Sequence, residues 1–313
     1  MRKALVTGAE GFIGSHLVRF LQARDWIVFA GYLTRPRPLS RVRSLEWVAC
    51  DLRDRQRVAR LIRDIQPTHI FHLGAQSLPT LSREDPVGTF QSNIMGSLHL
   101  FEAVRCSKRP AKVISACSSA EYGEVPASAI PASETQCLRP LHPYGVSKVC
   151  LDLLARQYFL DYKIPAVNLR VFNTTGPGKI NDAPSDFVRQ LVRIRKGLQP
   201  PVLEAGNLKS RRAFLDVDDS VRGFYAAALR GRPGEAYNLC GRTAYRIGEL
   251  LRIAIGLSGV KVQVRRAERL LRPHDEKIIF GDTRKFRKDT GWKPRKSLQQ
   301  TLASMLDYWD RVL

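Results

Sequence analysis

The stretch TGAEGFIG (Thr7 to Gly14) narrows the possible folds more than any other part of the chain. It follows an apolar strand-like run and opens FIGSHLVRFLQARD, whose apolar residues recur at helical spacing. Gly8, Gly11 and Gly14 form a GxxGxxG pattern across that junction. A Cβ at such a turn would keep backbone N–H groups away from a pyrophosphate at the helix N-terminus. A strand, a glycine turn and a helix in this order predict a dinucleotide site. Phe12 and Ile13, which open the helix, are counted with the glycines as cofactor contacts.

The alternation continues through the first half. WIVFAGYL, HIFHLGA, KVISACSS and PAVNLRVFN read as strands, and VARLIRDIQ, TFQSNIMGSLHLFEAVRCS and YGVSKVCLDLLARQYFLDY as helices. Strands alternating with helices predict an α/β fold, a doubly wound parallel Rossmann sheet. The second half is less regular: FVRQLVRIRKG, DVDDSVRGFYAAAL and RIGELLRIAIG are helical, AYNL and VKVQVRR are strands, and a last helix starts at Leu298. The expected division is a Rossmann domain over 1–170, with a return segment near 210–240. A smaller, discontinuous C-terminal substrate lobe covers mainly 171–313.

The end of the second strand separates NAD from NADP, because a carboxylate there binds the ribose 2′-OH. GYLTRPRP has none; it offers Thr34, Arg35 and Arg37. Cations beside the 2′ position favour a phosphate, so the expected cofactor is NADP(H). Asp51 and Leu52, in ACDLRD after the third strand, are placed to reach the adenine.

YGVSK sets Tyr144 and Lys148 four apart, on one face of a helix. A free phenol has a pKa near 10, and a neighbouring ammonium favours its ionised form. Ser118, at the end of the KVISACSS strand, completes a candidate catalytic set.

Together TGAEGFIG, HLGAQS (Leu73, Gly74, Ala75), SSAEYG, YGVSK and RVFNTTGPG (Asn173) resemble the extended short-chain dehydrogenase/reductase family, over nearly the whole chain. The resemblance implies NAD(P) between sheet and lobe, with Ser118, Tyr144 and Lys148 as catalytic residues and Leu73, Gly74, Ala75, Tyr144 and Lys148 beside the cofactor, Lys148 holding the ribose. It also implies a homodimer built on a four-helix bundle from the helices carrying Asn93 and Tyr144. EAGNLKSRRAFLDVDD and LRPHDEKIIFGDTRKFRKDTGWKP are similar to segments of the GDP-mannose-modifying members. That similarity places Asn207, Arg212, Arg272 and Asp275 on the nucleotide, and Ser119, Glu121 and Asn173 near the sugar. Asp275 stands where the pattern has Glu, and Ala213 where it has Asp.

A 4,6-dehydratase needs a carboxylate two residues after the catalytic hydroxyl, and that position holds Ala120. On an extended segment Glu121, one residue later, would face the other way. A 4-ketoreductase needs only hydride, a proton from Tyr144 and polarisation by Ser118. The expected reaction is therefore NADPH-dependent C4 reduction of GDP-4-keto-6-deoxy-D-mannose to GDP-D-rhamnose. GDP-mannose 4,6-dehydration using Glu121 is the alternative, followed by 4-epimerisation.

The formal charge of +22 over 313 residues admits nucleic acid, an anionic membrane or an anionic substrate. The basic residues are dispersed without interleaved aromatics, and no apolar run spans a membrane. A nucleotide sugar is thus the expected partner, with no specific nucleic acid and no membrane. The six cysteines lack CxxC spacing and fall mostly in apolar runs. They are expected to be reduced core residues of a cytoplasmic protein with no metal.

Overall fold

The computed structural model describes residues 2–34, 44–271 and 276–313. Arg35, Arg37, Arg272 and Asp275 therefore lie outside the described residues. Seven parallel strands form the central sheet: β1 (Lys3–Thr7), β2 (Ile27–Tyr32), β3 (Leu45–Ala49), β4 (His69–His72), β5 (Lys112–Ser118), β6 (Ala166–Val171) and β7 (Ala236–Leu239). Their spatial order is β3-β2-β1-β4-β5-β6-β7. The order reverses between β1 and β4, which opens a crevice at the carboxyl ends of these strands.

Helices cover both faces because strands buried on two sides are apolar almost throughout. On one face α1 (Phe12–Gln22) contributes Leu17, Val18 and Leu21 to the core. On the other, Val58 and Ile62 of α2 (Arg55–Ile65), Leu100 and Phe101 of α3 (Gly96–Arg105), and Leu151 and Ala155 of α4 (Pro143–Tyr162) pack together. A separate core defines the lobe. It joins Phe187 and Leu191 of α5 (Ala183–Arg195), Leu250 and Leu251 of α7 (Ile247–Ser258), and Leu302 and Met305 of α8 (Leu298–Val312).

Between these, α6 (Val217–Arg230) returns to the sheet, and Val221 and Phe224 join the α1-side core. AYNL, within the expected return segment, is β7; it pairs with β6 from Ala236–Asn168 to Leu239–Val171. The long helix expected over TFQSNIMGSLHLFEAVRCS is interrupted. A turn of π-helix at Gln91–Met95 separates Pro86–Phe90 from α3, and π-turns often mark functional positions.

All six cysteines are free thiols. Cys50, Cys117 and Cys240 are buried, but Cys106 and Cys137 are exposed, contrary to the core reading. Cys106 caps the C-terminus of α3, where an apolar sequence run has already left the interior. Among the described residues, no helix is long and apolar enough to cross a membrane.

Candidate active site

The glycine turn is built by close backbone approach. Gly8 has φ +65°, and a Cβ there would lie 2.8 Å from the Gly74 Cα. Gly11 is the N-cap of α1 and offers no side-chain cap, so the first-turn N–H groups are left to a ligand. This cradle fits a dinucleotide pyrophosphate.

A hydrogen-bond chain holds it. The Thr7 Oγ1 accepts the N–H groups of Leu73 (3.1 Å) and Gly74 (2.9 Å), so its own proton goes to His72 Nδ1 (3.0 Å). His72 Nε2 then donates to the Ser97 hydroxyl (2.8 Å), which donates to the Asn93 carbonyl. Burial lowers the His72 pKa to about 3, in keeping with the neutral tautomer this chain requires.

Leu52 packs against Gly74 and Gly96. Asp51 is gripped by the Arg53 side chain at 2.9 and 2.7 Å, which holds its carboxyl below the usual range. Thr34 is exposed past β2, and Ala75 is half-buried after Gly74. Sequence reasoning missed Glu10. Its Oε1 accepts the Leu33 N–H (2.7 Å) just beyond β2, and its Oε2 is buried without a partner. No pattern within the glycine loop announces a side chain reaching across to the next strand.

Ser118 ends β5, and Tyr144 and Lys148 lie in the first two turns of α4. His142 Nδ1 caps α4 by accepting the Gly145 N–H (3.1 Å), and Pro143 starts the helix. A Cβ on Gly145 would sit 2.7 Å from the Ala120 carbonyl. That close approach brings α4 onto the turn after β5 and places Tyr144 in hydrogen-bond contact with the Ser118 side chain.

Burial raises the Tyr144 pKa to about 12, against the pull of the Ser118 hydrogen bond. The sequence expectation of a phenol lowered by Lys148 is thus reversed in the free protein. Lys148 is itself buried, which lowers its pKa. Its Nζ donates to the Ala116 carbonyl (2.7 Å) and stands 5.8 Å from the Tyr144 ring centroid. Desolvation therefore outweighs the ammonium's field. At neutral pH the Tyr144 phenol is therefore protonated.

Asn93, named in the sequence only for its helix, stitches the site together. Its Oδ1 accepts the Gln76 N–H (2.8 Å), and its Nδ2 donates to the Gln76 carbonyl and the Ser147 hydroxyl, both at 2.9 Å.

Glu121 is corrected as a substrate contact. Ser119–Glu121 is a tight 3-10 turn rather than an extended segment. It rolls the Glu121 side chain to 0% exposure. There its Oε1 accepts the Ser118 N–H (2.7 Å). Ser119 is half-buried, and its carbonyl accepts the Tyr122 N–H (3.2 Å). Ala120, at the dehydratase position, carries no titratable group.

The lobe holds a cavity of about 850 Å³. Asn173, Asn207 and Arg212 all line it. Asn173 lies two residues beyond Val171, which pairs with Ser118, so the cavity starts beside the end of β5. Its Nδ2 is buried with no partner. Arg212 donates to the Glu276 carbonyl (2.7 Å), and the Asn207 Oδ1 accepts the Lys209 N–H (3.0 Å). Sequence reasoning missed Arg189, which lines the same cavity, lies over Trp309 at 5.0 Å and has a buried Nε without a partner. Orphaned donors and arginines suit an anionic, polar ligand.

A glycine cradle at the switch point of a parallel sheet, beside a Ser–Tyr–Lys set and an arginine-lined lobe, defines an NAD(P)-dependent enzyme of nucleotide-sugar chemistry. Residues 5–305 match the family described as GDP-mannose 4,6 dehydratase, and the chain belongs to that family, within the extended short-chain dehydrogenases/reductases. Over 312 residues it is 28% identical to a GDP-6-deoxy-D-mannose reductase of Pseudomonas aeruginosa, covering 99% of this chain and 97% of the relative. It is 29% identical to GDP-mannose 4,6 dehydratase 2 of Arabidopsis thaliana, covering 97% of this chain and 86% of that one. Among solved structures, RMD from Pseudomonas aeruginosa complexed with NADPH superposes with a TM-score of 0.88 at 27% identity, over 100% of both chains. The UDP-glucose 4-epimerase of Thermus thermophilus in complex with NAD gives 0.87 at 30%, over 98% of both.

Proposed function

We propose that this protein reduces the C4 keto group of a GDP-4-keto-6-deoxyhexose with NADPH, converting GDP-4-keto-6-deoxy-D-mannose to GDP-D-rhamnose. The observation that carries this reading is the chemistry around Ser118. A protonated Tyr144 touches its side chain, Ala120 fills the position of a dehydratase acid/base, and Glu121 is sealed inside. Reduction requires a proton donor and nothing more from these residues; dehydration also requires removal of the C5 proton. When bound at the glycine turn, the nicotinamide cofactor would supply the hydride for C4. Ser118 orients and polarises the carbonyl oxygen, Tyr144 protonates it, and Lys148 provides positive charge behind the phenol. The similarity to the Pseudomonas reductase and to the NADPH-bound structure supports this reading. Thr34, followed in sequence by Arg35 and Arg37, supports NADPH over NADH.

Asn173, Asn207, Arg212 and Arg189 would hold the nucleotide sugar. Six unpaired cysteines suit a cytoplasmic setting. A homodimer is supported by α4, where Val146, Leu153 and Leu160 recur every seven residues and are 37%, 56% and 50% exposed. Such a stripe suits an antiparallel helix partner. Leu153→Asp is expected to convert a dimer into a monomer in sedimentation velocity; an unchanged sedimentation coefficient would show that this face is not the contact.

The reaction is tested with purified protein and two substrates. GDP-4-keto-6-deoxymannose with NADPH is expected to give loss of NADPH absorbance and a product heavier by two hydrogens, faster than with NADH. GDP-mannose without added cofactor is expected to stay intact. Loss of water from GDP-mannose would instead establish a dehydratase.

A further inference from the structure

Beneath Ser118 two carboxyl groups share one guanidinium. Arg170 donates through Nε to Asp152 Oδ2 (2.7 Å) and through Nη1 to the Tyr122 hydroxyl (3.0 Å) and the Glu134 carbonyl (2.9 Å). Asp152 Oδ1 accepts the Asn168 amide (3.0 Å). Asp152 thus has a donor on each oxygen. Glu121 does not: its Oε2 lies 3.4 Å from Arg170 Nε and has no hydrogen-bond partner. Cys117, Glu121 and Asp152 present ligand atoms within 4.8 Å of one another, all buried. The guanidinium already supplies the positive charge there, and burial keeps the Cys117 thiol neutral.

A second ionised carboxylate in this enclosure would be a buried charge without its own counterion, which costs several kcal/mol or more. A proton on Glu121 Oε2 removes that charge. It also turns the orphaned oxygen into a donor facing the Asp152 carboxylate. We propose that Glu121 is a neutral acid that donates to Asp152 while its Oε1 holds the Ser118 N–H, making it a positioning residue for the catalytic serine. Ser118 is then fixed from both sides: the main chain by Glu121, and the side-chain oxygen by the Ala120 N–H it accepts (3.1 Å). Burial and Asp152 push the Glu121 pKa well up, in line with this state.

Two variants separate the alternatives. Glu121→Gln keeps an acceptor for Ser118 N–H and an N–H donor for Asp152, so it is expected to fold and retain most of kcat. Glu121→Leu removes both and leaves the Ser118 N–H buried and unpaired. A shift of about 1 Å at Ser118 costs up to about 100-fold in kcat, with NADPH affinity unchanged. The kinetic arm rests on the proposed reduction; the spectroscopic arm does not. The infrared difference between wild type and Glu121→Gln should contain a protonated-carboxyl band that shifts in D₂O. Its absence would overturn the proposal even if no keto sugar is reduced. A Gln variant as impaired as the Leu variant, or a folded Leu variant with wild-type kcat, would do the same.

Discussion

Tyr144→Phe is expected to abolish reduction while leaving NADPH binding intact. The phenol is fully protonated at neutral pH and touches Ser118. A positioned proton donor contributes about 10²–10⁴-fold, so kcat should fall by that factor. The ring remains, and with it the stacking on His142 at 5.9 Å between centroids. Lys148 keeps its bond to the Ala116 carbonyl. Fold and cofactor cradle are therefore untouched, and a fluorescence titration with NADPH should give a Kd close to that of wild type. Retained turnover would remove Tyr144 from the mechanism. A parallel loss of NADPH affinity would show that the phenol holds the cofactor rather than the proton.

Gly8→Val has the opposite signature: the chemistry survives and cofactor binding fails. Valine at φ +65° is strained by its β-branched side chain, at a cost of about 1–3 kcal/mol. Its Cβ would also lie 2.8 Å from the Gly74 Cα and 2.9 Å from the Gly74 nitrogen. Both obstacles are backbone, so no side chain can swing aside. The turn must open, which withdraws the N–H groups from the pyrophosphate. Losing one or two charge-assisted hydrogen bonds, each worth about 1.5–3 kcal/mol, weakens NADPH binding by about 10- to 10⁴-fold. Isothermal titration measures this directly. An unchanged Kd would mean the pyrophosphate does not sit at this turn.

The sheet and its cofactor edge were legible because their signals are local. Period-two and period-3.6 patterns depend on neighbours in sequence, and a glycine turn needs only its own backbone. The pairing of Tyr144 with Lys148 was legible for the same reason, since a helix fixes which residues share a face. Where the sequence misled, a partner far along the chain decided the outcome. The π-turn at Asn93 depends on Gln76 and Ser147, 17 and 54 residues away.

The protonation states show this division most clearly. From YGVSK alone an ammonium four residues away should lower the phenol; in the folded protein, burial raises it to about 12. From SSAEYG alone Glu121 is an acid near a substrate; one 3-10 turn buries it against Asp152 and Arg170. Local patterning was enough for the parallel Rossmann sheet, the dinucleotide turn and the shared helix face of Tyr144 and Lys148. Which carboxylates are sealed inside, and which buried groups hold their protons, depended on the packed whole. Burial and electrostatic fields are summed over every surrounding element, and no window of sequence contains that sum.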